Sequence, residues 1–159
     1  MAKHDAAIVW RSDGNFTTGR YSRAHQWRFD GGAVVPASSS PHVVPLPYSD
    51  AAAVDPEEAL IASAASCHML WFLDLARRAG FDVESYRDDA EGVMGKNEQG
   101  RVALTTIRLR PDIAFNGRRP TDEELAQLHH EAHERCFIAN SLRSEVVVEG
   151  VATEQAAGP

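Results

Sequence analysis

The stretch from Asp55 to Gly80 constrains the fold of this chain more than any other part of the sequence. Asp55 is a good N-cap, Pro56 suits the first helical position, and Glu58 follows the cap by three residues, as in a capping box. Gly80 suits the residue that closes a helix. The pattern predicts a helix of about 24 residues, nearly apolar all round between Ala59 and Leu73, which is typical of a core or an oligomer interface.

A second helix is predicted to begin at Thr121, where Glu124 completes another capping box. Apolar residues recur along it at helical spacing, which predicts a single buried stripe. The residues of that stripe are Leu125, Leu128, Ala132, Cys136 and Ala139. Each predicted helix therefore carries one of the two cysteines of the chain, Cys67 on the first and Cys136 on the second.

Strand patterns surround the two helices. The predicted strands are Ala7–Ser12, Tyr21–Phe29, Val83–Val93, Val102–Phe115 and Ser144–Gly150, and the turn Asp13–Asn15 joins the first two. Alternation in the second strand predicts a mixed face that carries Arg23 and His25 beside three aromatic residues. The order of strands, helix, strands, helix and strand predicts an α+β fold with an antiparallel sheet.

The segment between Phe29 and Pro56 is predicted to be a long loop. It contains Gly31, Gly32 and five prolines, counting Pro56, which argue against a regular helix or a central strand. We expect one edge strand at most, around Val43 to Leu46. Residues 150–159 are predicted to form a flexible tail.

Length and composition predict one soluble domain spanning residues 1–159. The 16 Lys and Arg stand against 23 Asp and Glu, and a net charge of −7 argues against a nucleic-acid or anionic-membrane partner. No signal peptide is visible, and no stretch approaches the roughly 20 apolar residues of a membrane span. We therefore expect a cytoplasmic protein whose cysteines are reduced at rest.

The two cysteines allow two interpretations. A free cysteine often serves as a small buried hydrophobe. However, both cysteines are predicted on the inward faces of two long helices, and facing helices can bring Cα atoms within the roughly 7 Å that a disulfide needs. The residues alone leave both interpretations open.

Two motifs around the cysteines resemble those of a known family. The segment "DPEEALIASAASCHM" resembles the Asn-Pro-Glu-Glu/Gln motif, followed by small and apolar residues and Ala-Cys, of the OsmC/Ohr family, with the same spacing from acid to cysteine. The segment "AHERCFIANSL" resembles that family's second signature, in which Pro rather than Phe137 follows the cysteine. The resemblance covers roughly residues 16–148.

The resemblance implies a fold and an activity. The implied fold has antiparallel sheets wrapped around two long central helices in an intertwined homodimer, with the sites at the subunit interface. The implied activity is thiol-dependent reduction of organic hydroperoxides, with no cofactor and an external dithiol as electron donor. By position, Cys67 matches the peroxidatic cysteine, Cys136 the resolving cysteine and Glu57 the motif glutamate. The site arginine is assigned to Arg23, with Arg20 and Arg28 as competitors.

The chemistry explains why such residues are needed. Only a thiolate attacks the peroxide, yet an apolar pocket raises the pKa of a thiol, so a fixed positive partner is required. Arg23 would supply that charge, and Glu57 could hold it in a bidentate ion pair. Walls of Leu70, Trp71 and Phe72 would suit an alkyl hydroperoxide over a very polar oxidant.

Three alternatives remain open. His129, His133 and Cys136 have the spacing of three metal ligands on one helical face. A cysteine hydrolase is disfavoured because His68 points about 100° away from Cys67 on a helix, and His68 is interpreted as a surface or interface histidine. The third alternative is a non-enzymatic protein that binds a small hydrophobic ligand at the dimer interface. The roles of His25 and His68 stay undefined.

Overall fold

The computed structural model describes residues 1–150, so the predicted tail lies outside the described residues except for Gly150. The chain divides into two compact units, one formed by Met1–Ala59 and the other beginning at Leu60. The units are described separately below, and the single domain stays a prediction.

The N-terminal unit contains a three-stranded antiparallel sheet. Its strands are β1 (Ala6–Val9), β2 (His25–Phe29) and β3 (Val34–Ala37), in the order β1-β2-β3. β2 begins at His25, four residues after the predicted start at Tyr21. The Arg23 N–H donates to the Tyr48 carbonyl and so does not pair with β1. A 3-10 turn, Phe16–Thr18, lies between β1 and β2.

The prediction of a long loop between Phe29 and Pro56 was partly wrong, because this segment contains β3. β3 pairs with β2 through a tight turn in which Gly32 adopts a φ of 87°, a conformation that glycine tolerates at little cost. Pro36 lies within β3, which is an edge strand, where a missing N–H breaks no ladder. Residues 43–46, predicted as the edge strand, form turns instead.

Helix α1 spans Pro56–Arg78, as predicted. The Asp55 carboxylate accepts a hydrogen bond from the Glu58 N–H at 2.8 Å, and the Glu58 carboxylate accepts one from the Asp55 N–H at 3.2 Å. This reciprocal pair is the capping box that the sequence predicts. Gly80 closes the helix with a φ of 83°.

The length and apolar composition of α1 bear on the prediction that the chain has no membrane-spanning stretch. By length and composition alone it could cross a membrane, so the prediction that no stretch approaches such a length was wrong. The core helix of a soluble protein has the same properties. Within the chain, α1 buries Ala64, His68, Phe72, Leu75 and Ala76.

The second unit contains five strands in two sheets. They are β4 (Asp82–Asp88), β5 (Glu91–Lys96), β6 (Val102–Leu109), β7 (Pro111–Asn116) and β8 (Glu145–Val148). β4 pairs with β7, and the other sheet has the order β5-β6-β8. Most pairs are antiparallel, which confirms the α+β class, but β8 runs parallel to β6.

Each of the two long strands predicted in this unit is two strands that join different sheets. The breaks fall between β4 and β5 and at Arg110, between β6 and β7. At this corner the Asp88 carboxylate accepts a hydrogen bond from the Arg110 N–H at 2.7 Å. Pro111 lacks an N–H, so the strand cannot continue through it with an unbroken ladder.

Helix α2 spans Asp122–Arg135 and carries the predicted capping box between Thr121 and Glu124. It ends one residue before Cys136, whose backbone is extended with φ −67° and ψ 107°. A short helix, α3 (Phe137–Ser141), follows. The prediction that Cys136 and Ala139 continue the α2 stripe was therefore wrong, although Cys136 is buried.

Two buried clusters hold this unit together. The larger contains Phe72, Leu75 and Ala76 of α1 with Phe81 and with Leu128 and Ala132 of α2. The smaller packs Ala64 against Ile107 and Leu109 of β6. Together these clusters bury one side of α1.

A pair of buried histidines lies beside the larger cluster. His68 Nε2 and His129 Nδ1 are 2.9 Å apart and share a hydrogen bond, and the residues are 1% and 3% exposed. His68 is therefore a core residue, which corrects its interpretation as a surface histidine. Burial, with the charge of His133, lowers the pKa of His68 to about 4. Burial, with His68 beside it, lowers the pKa of His129 to about 3.

We expect the free energy of unfolding to decrease by about 2 kcal/mol between pH 7 and pH 5.5 because of this pair. Both histidines gain protons in the unfolded chain below pH 6.5, whereas the folded chain takes them up only near the lowered pKa values. Stability is therefore complete above pH 6.5 and is lost as the pH falls. Urea unfolding at the two pH values measures the difference.

A matched pair of variants isolates the cause. In the double variant His68→Gln with His129→Gln, the free energy of unfolding should change much less between the two pH values. His130→Gln, at an exposed position on α2, should leave the pH dependence unchanged. If the double variant lost as much unfolding free energy as the wild type between the two pH values, groups other than these histidines would be responsible.

Candidate functional site

Cys67 lies on a stripe of α1 that lines a cavity of about 540 Å³. Residues three, four and seven positions apart share a helical face, so Ser63, Cys67, Leu70, Trp71 and Asp74 line the same side. The complete lining is Ser63, Ser66, Cys67, Leu70, Trp71, Asp74, Phe137 and Ile138. Two polar hydroxyls thus precede the thiol along α1, and the apolar Leu70 and Trp71 and then the Asp74 carboxylate follow it.

Cys136 lies beside Cys67 but differs in exposure. Cys67 is partly exposed, whereas Cys136 is 1% exposed, and both are free thiols. The Cys136 sulfur accepts a hydrogen bond from the Ala139 N–H at 3.3 Å, so it caps α3. Burial raises the pKa of the Cys136 thiol to about 11, and the neighbouring Cys67 adds to the rise. Cys67 is therefore the thiol that a reagent in the cavity meets first.

Phe137 takes the place of the proline in the family signature, yet Cys136 keeps the conformation that a following proline would require. A residue before proline is restricted to extended backbone, and ψ of Cys136 is 107°. α2 ends at Arg135 without that restriction. The Phe137 side chain is 69% exposed and lies at the cavity wall.

The predicted cavity walls are partly correct. Leu70 and Trp71 line the cavity, whereas Phe72 is fully buried in the larger core cluster. The lining residues that the sequence analysis missed are Ser63, Ser66, Asp74, Phe137 and Ile138. Helical spacing from Cys67 would have found Ser63 and Asp74. Phe137 and Ile138 reach the cavity only because α2 ends before Cys136, which the sequence analysis did not predict.

The structure does not arrange His129, His133 and Cys136 as the three metal ligands that their spacing suggested. His129 is hydrogen-bonded to His68, and Cys136 no longer follows His133 on a helical face because α2 ends at Arg135. Among residues 1–150, no group of three or more His, Cys, Asp or Glu side chains is placed to hold a metal ion.

Arg23 and Glu57 line a cavity of about 410 Å³ within the N-terminal unit. Of the three competing arginines, Arg23 is the one that lines it, while the exposed Arg28 donates to the Gln26 side chain at 3.0 Å. Three aromatic rings, Trp10, Phe16 and Tyr21, form another wall, with centroids 5.1 to 5.8 Å apart.

The partners of Arg23 differ from the prediction. Its guanidinium donates to the carbonyl oxygens of Gly19 and Tyr21 and lies 3.7 Å from the centroid of the Tyr21 ring. No ion pair joins Arg23 to Glu57, although the structure describes both residues, so the expected bidentate pair is not formed. Backbone carbonyls and an aromatic face hold the guanidinium instead.

His25 lines the same cavity in a defined orientation. Its Nδ1 lies 2.8 Å from the Arg23 carbonyl oxygen, and its Nε2 accepts a hydrogen bond from the Trp27 indole at 3.0 Å. This pattern requires the proton on Nδ1, so both ring nitrogens are engaged and neither is available as a base in this arrangement.

The structure thus places the four predicted site residues in two groups, Cys67 with Cys136 in one unit and Arg23 with Glu57 in the other. A comparison with family models matched residues 49–150 to the model described as OsmC-like protein. The chain belongs to the OsmC/Ohr family. A search of curated proteins found no match.

Solved structures agree with this membership. An OsmC-like protein of unknown function from Vibrio cholerae is 51% identical, with a TM-score of 0.91 over 94% of this chain and 99% of that one. An OsmC-like protein from Mycoplasma pneumoniae shares the fold at 17% identity, with a TM-score of 0.69 over 92% and 94% of the two chains. An organic hydroperoxide resistance protein from Elizabethkingia anophelis does so at 18% identity, with a TM-score of 0.66 over 93% and 96%.

We expect iodoacetamide to alkylate Cys67 at least tenfold faster than Cys136 in the folded protein at pH 8. Cys67 is open to the cavity, whereas Cys136 is buried and its pKa is raised. Peptide mass mapping after brief labelling measures the ratio, and denatured protein, in which both thiols should react alike, is the control. Faster labelling of Cys136 would contradict the assignment of the two thiols.

Proposed function

We propose that this protein is a thiol-dependent peroxidase that reduces organic hydroperoxides in defence against oxidative stress. The observation that supports it most is the pairing of a cavity-facing Cys67 with a neighbouring, buried Cys136. Membership of the OsmC/Ohr family supports the same activity. The name of the Elizabethkingia anophelis protein, which shares the fold, points to the same substrate class.

The proposed cycle has three balanced steps. The Cys67 thiolate attacks the distal oxygen of R–OOH, the O–O bond breaks, and after protonation the products are an alcohol, R–OH, and Cys67 sulfenic acid. The Cys136 thiol then attacks that sulfur, forming a disulfide and releasing water. An external dithiol reduces the disulfide and leaves as its own disulfide.

We propose that a hydrogen bond from Cys136 assists the reactive state of Cys67. The raised pKa of Cys136 keeps its S–H protonated, and that S–H can donate to the Cys67 sulfur. The same proton leaves with the sulfenic hydroxyl as water in the second step, so Cys136 needs no separate base.

Arg23 and Glu57 are proposed as the stabilising arginine and the motif glutamate, and these roles depend on the family resemblance. That both residues line one cavity supports assigning them to one function. We also propose a homodimer located in the cytoplasm. Exposed apolar side chains such as Leu70, Met94 and Val102 are consistent with a second copy packing on this chain.

One observation favours a second candidate, a protein that binds a hydrophobic ligand without turning it over. The cavity beside Cys67 is lined by Leu70, Trp71, Phe137 and Ile138, which would suit an apolar ligand whether or not the thiol reacts. Exposure to peroxide separates the two functions, because a binding protein has no reason to form a disulfide rapidly.

We expect brief treatment with one equivalent of an alkyl hydroperoxide to remove two hydrogen atoms from the intact protein, through a bond between Cys67 and Cys136. Cys67→Ser should abolish peroxide consumption, whereas Cys136→Ser should allow one turnover and then stop at the sulfenic acid. Intact-protein mass spectrometry and a coupled peroxide assay measure both results. Turnover that persists in Cys67→Ser would disprove the mechanism, and unchanged mass in the wild type would favour the binding protein.

Replacing Arg23 with Met should slow oxidation of Cys67 by about 100-fold, because a preorganised positive charge acts on the developing charge of the reaction. Arg23→Lys should recover part of the rate. Arg28→Met is the matched control, since Arg28 is exposed and does not line the cavity. Stopped-flow oxidation kinetics measure the three rates. Equal rates for Arg23→Met and Arg28→Met would contradict the assignment of Arg23 to the site.

A further inference from the structure

Two aromatic side chains form one wall of the Cys67 cavity. The rings of Trp71 and Phe137 meet edge to face, with centroids 5.6 Å apart and planes at 77°. Trp71 lies one helical turn beyond Cys67 on α1, and Phe137 directly follows Cys136. The pair therefore flanks both thiols of the proposed cycle.

The two rings are held differently. Trp71 packs against the larger core cluster, and the Arg135 guanidinium lies 5.8 Å from the centroid of its ring. Phe137 is 69% exposed, so most of its ring surface contacts no other residue of this chain. An exposed ring fixed at a cavity wall by one edge-to-face contact offers its remaining surface to a molecule in the cavity.

We propose that Trp71 and Phe137 form an aryl-binding subsite, so that among organic hydroperoxides this protein prefers those that carry an aromatic ring. The inference depends on the proposed function and narrows its substrate class. An aryl group can complete the edge-to-face arrangement that the two rings begin, and a branched alkyl group of similar reactivity cannot. The peroxide oxygens would then face the Ser63, Ser66 and Cys67 side of the cavity.

The sequence departs from the family signature at this same position. A proline in place of Phe137 would contribute no aromatic ring to the wall. Cys136 is extended without that proline, so the substitution alters the wall while leaving the resolving cysteine in the expected conformation. Phe137 is therefore the residue that gives the wall its second ring.

Cumene hydroperoxide and tert-butyl hydroperoxide provide a matched test, because both are tertiary hydroperoxides and they differ by a phenyl group in place of a methyl group. We expect the wild-type protein to react with cumene hydroperoxide at least tenfold faster. Phe137→Ala should reduce that ratio to about twofold or less, and Phe137→Tyr should restore it. Val43→Ala, at an exposed apolar position that lines neither of the two cavities, should keep the wild-type ratio. A wild-type ratio near one, or a ratio that Phe137→Ala leaves unchanged, would overturn the proposal.

A second measurement works without peroxide chemistry. The two corresponding alcohols, 2-phenyl-2-propanol and tert-butanol, should differ in how well they protect Cys67 from iodoacetamide, with the aryl alcohol protecting wild type but not Phe137→Ala. If neither hydroperoxide oxidises Cys67 while this difference persists, the proposed peroxidase fails and the aryl subsite stands. Equal protection by the two alcohols would overturn the subsite, whatever the fate of the peroxidase.

Discussion

The termination of α2 at Arg135 is the local event on which the site of this protein depends. If the helix continued, Cys136 would face the core with the other residues of its stripe, as the sequence pattern suggested. Its extended backbone instead turns the chain into α3 and brings Phe137 and Ile138 to the cavity. One residue with ψ of 107° therefore positions both the second thiol and half of the apolar wall.

α1 meets two different environments on its two sides. One side carries Ala64, His68 and Phe72 into the core, where His68 shares a hydrogen bond with His129. The other side carries Ser63, Cys67 and Trp71 to the cavity. Adjacent helical residues point about 100° apart. His68 therefore packs in the core, while Cys67, its neighbour in sequence, faces the cavity.

Local signals predicted much of this structure. The ends of α1 and the start of α2 are encoded by caps whose partners lie within three residues, so the sequence predicts them well. The break at Cys136 could not be predicted, because neither Pro nor Gly follows it. β3 was missed because Gly32 and Pro36 suggest a loop unless the strand is known to be an edge. The burial of His68 could not be seen either, because its partner His129 is 61 positions away along the chain.

The difference between the two thiols also gives the proposed cycle its order. At neutral pH a thiol whose pKa is near 11 is almost entirely protonated, so Cys136 does not compete with Cys67 for peroxide. Its burial excludes peroxide as well. Once Cys67 carries a sulfenic hydroxyl, the order of reactivity changes, because the sulfur beside Cys136 is now an electrophile. The feature that makes Cys136 a poor first nucleophile, its enclosure beside Cys67, is therefore the feature that makes it a good second one.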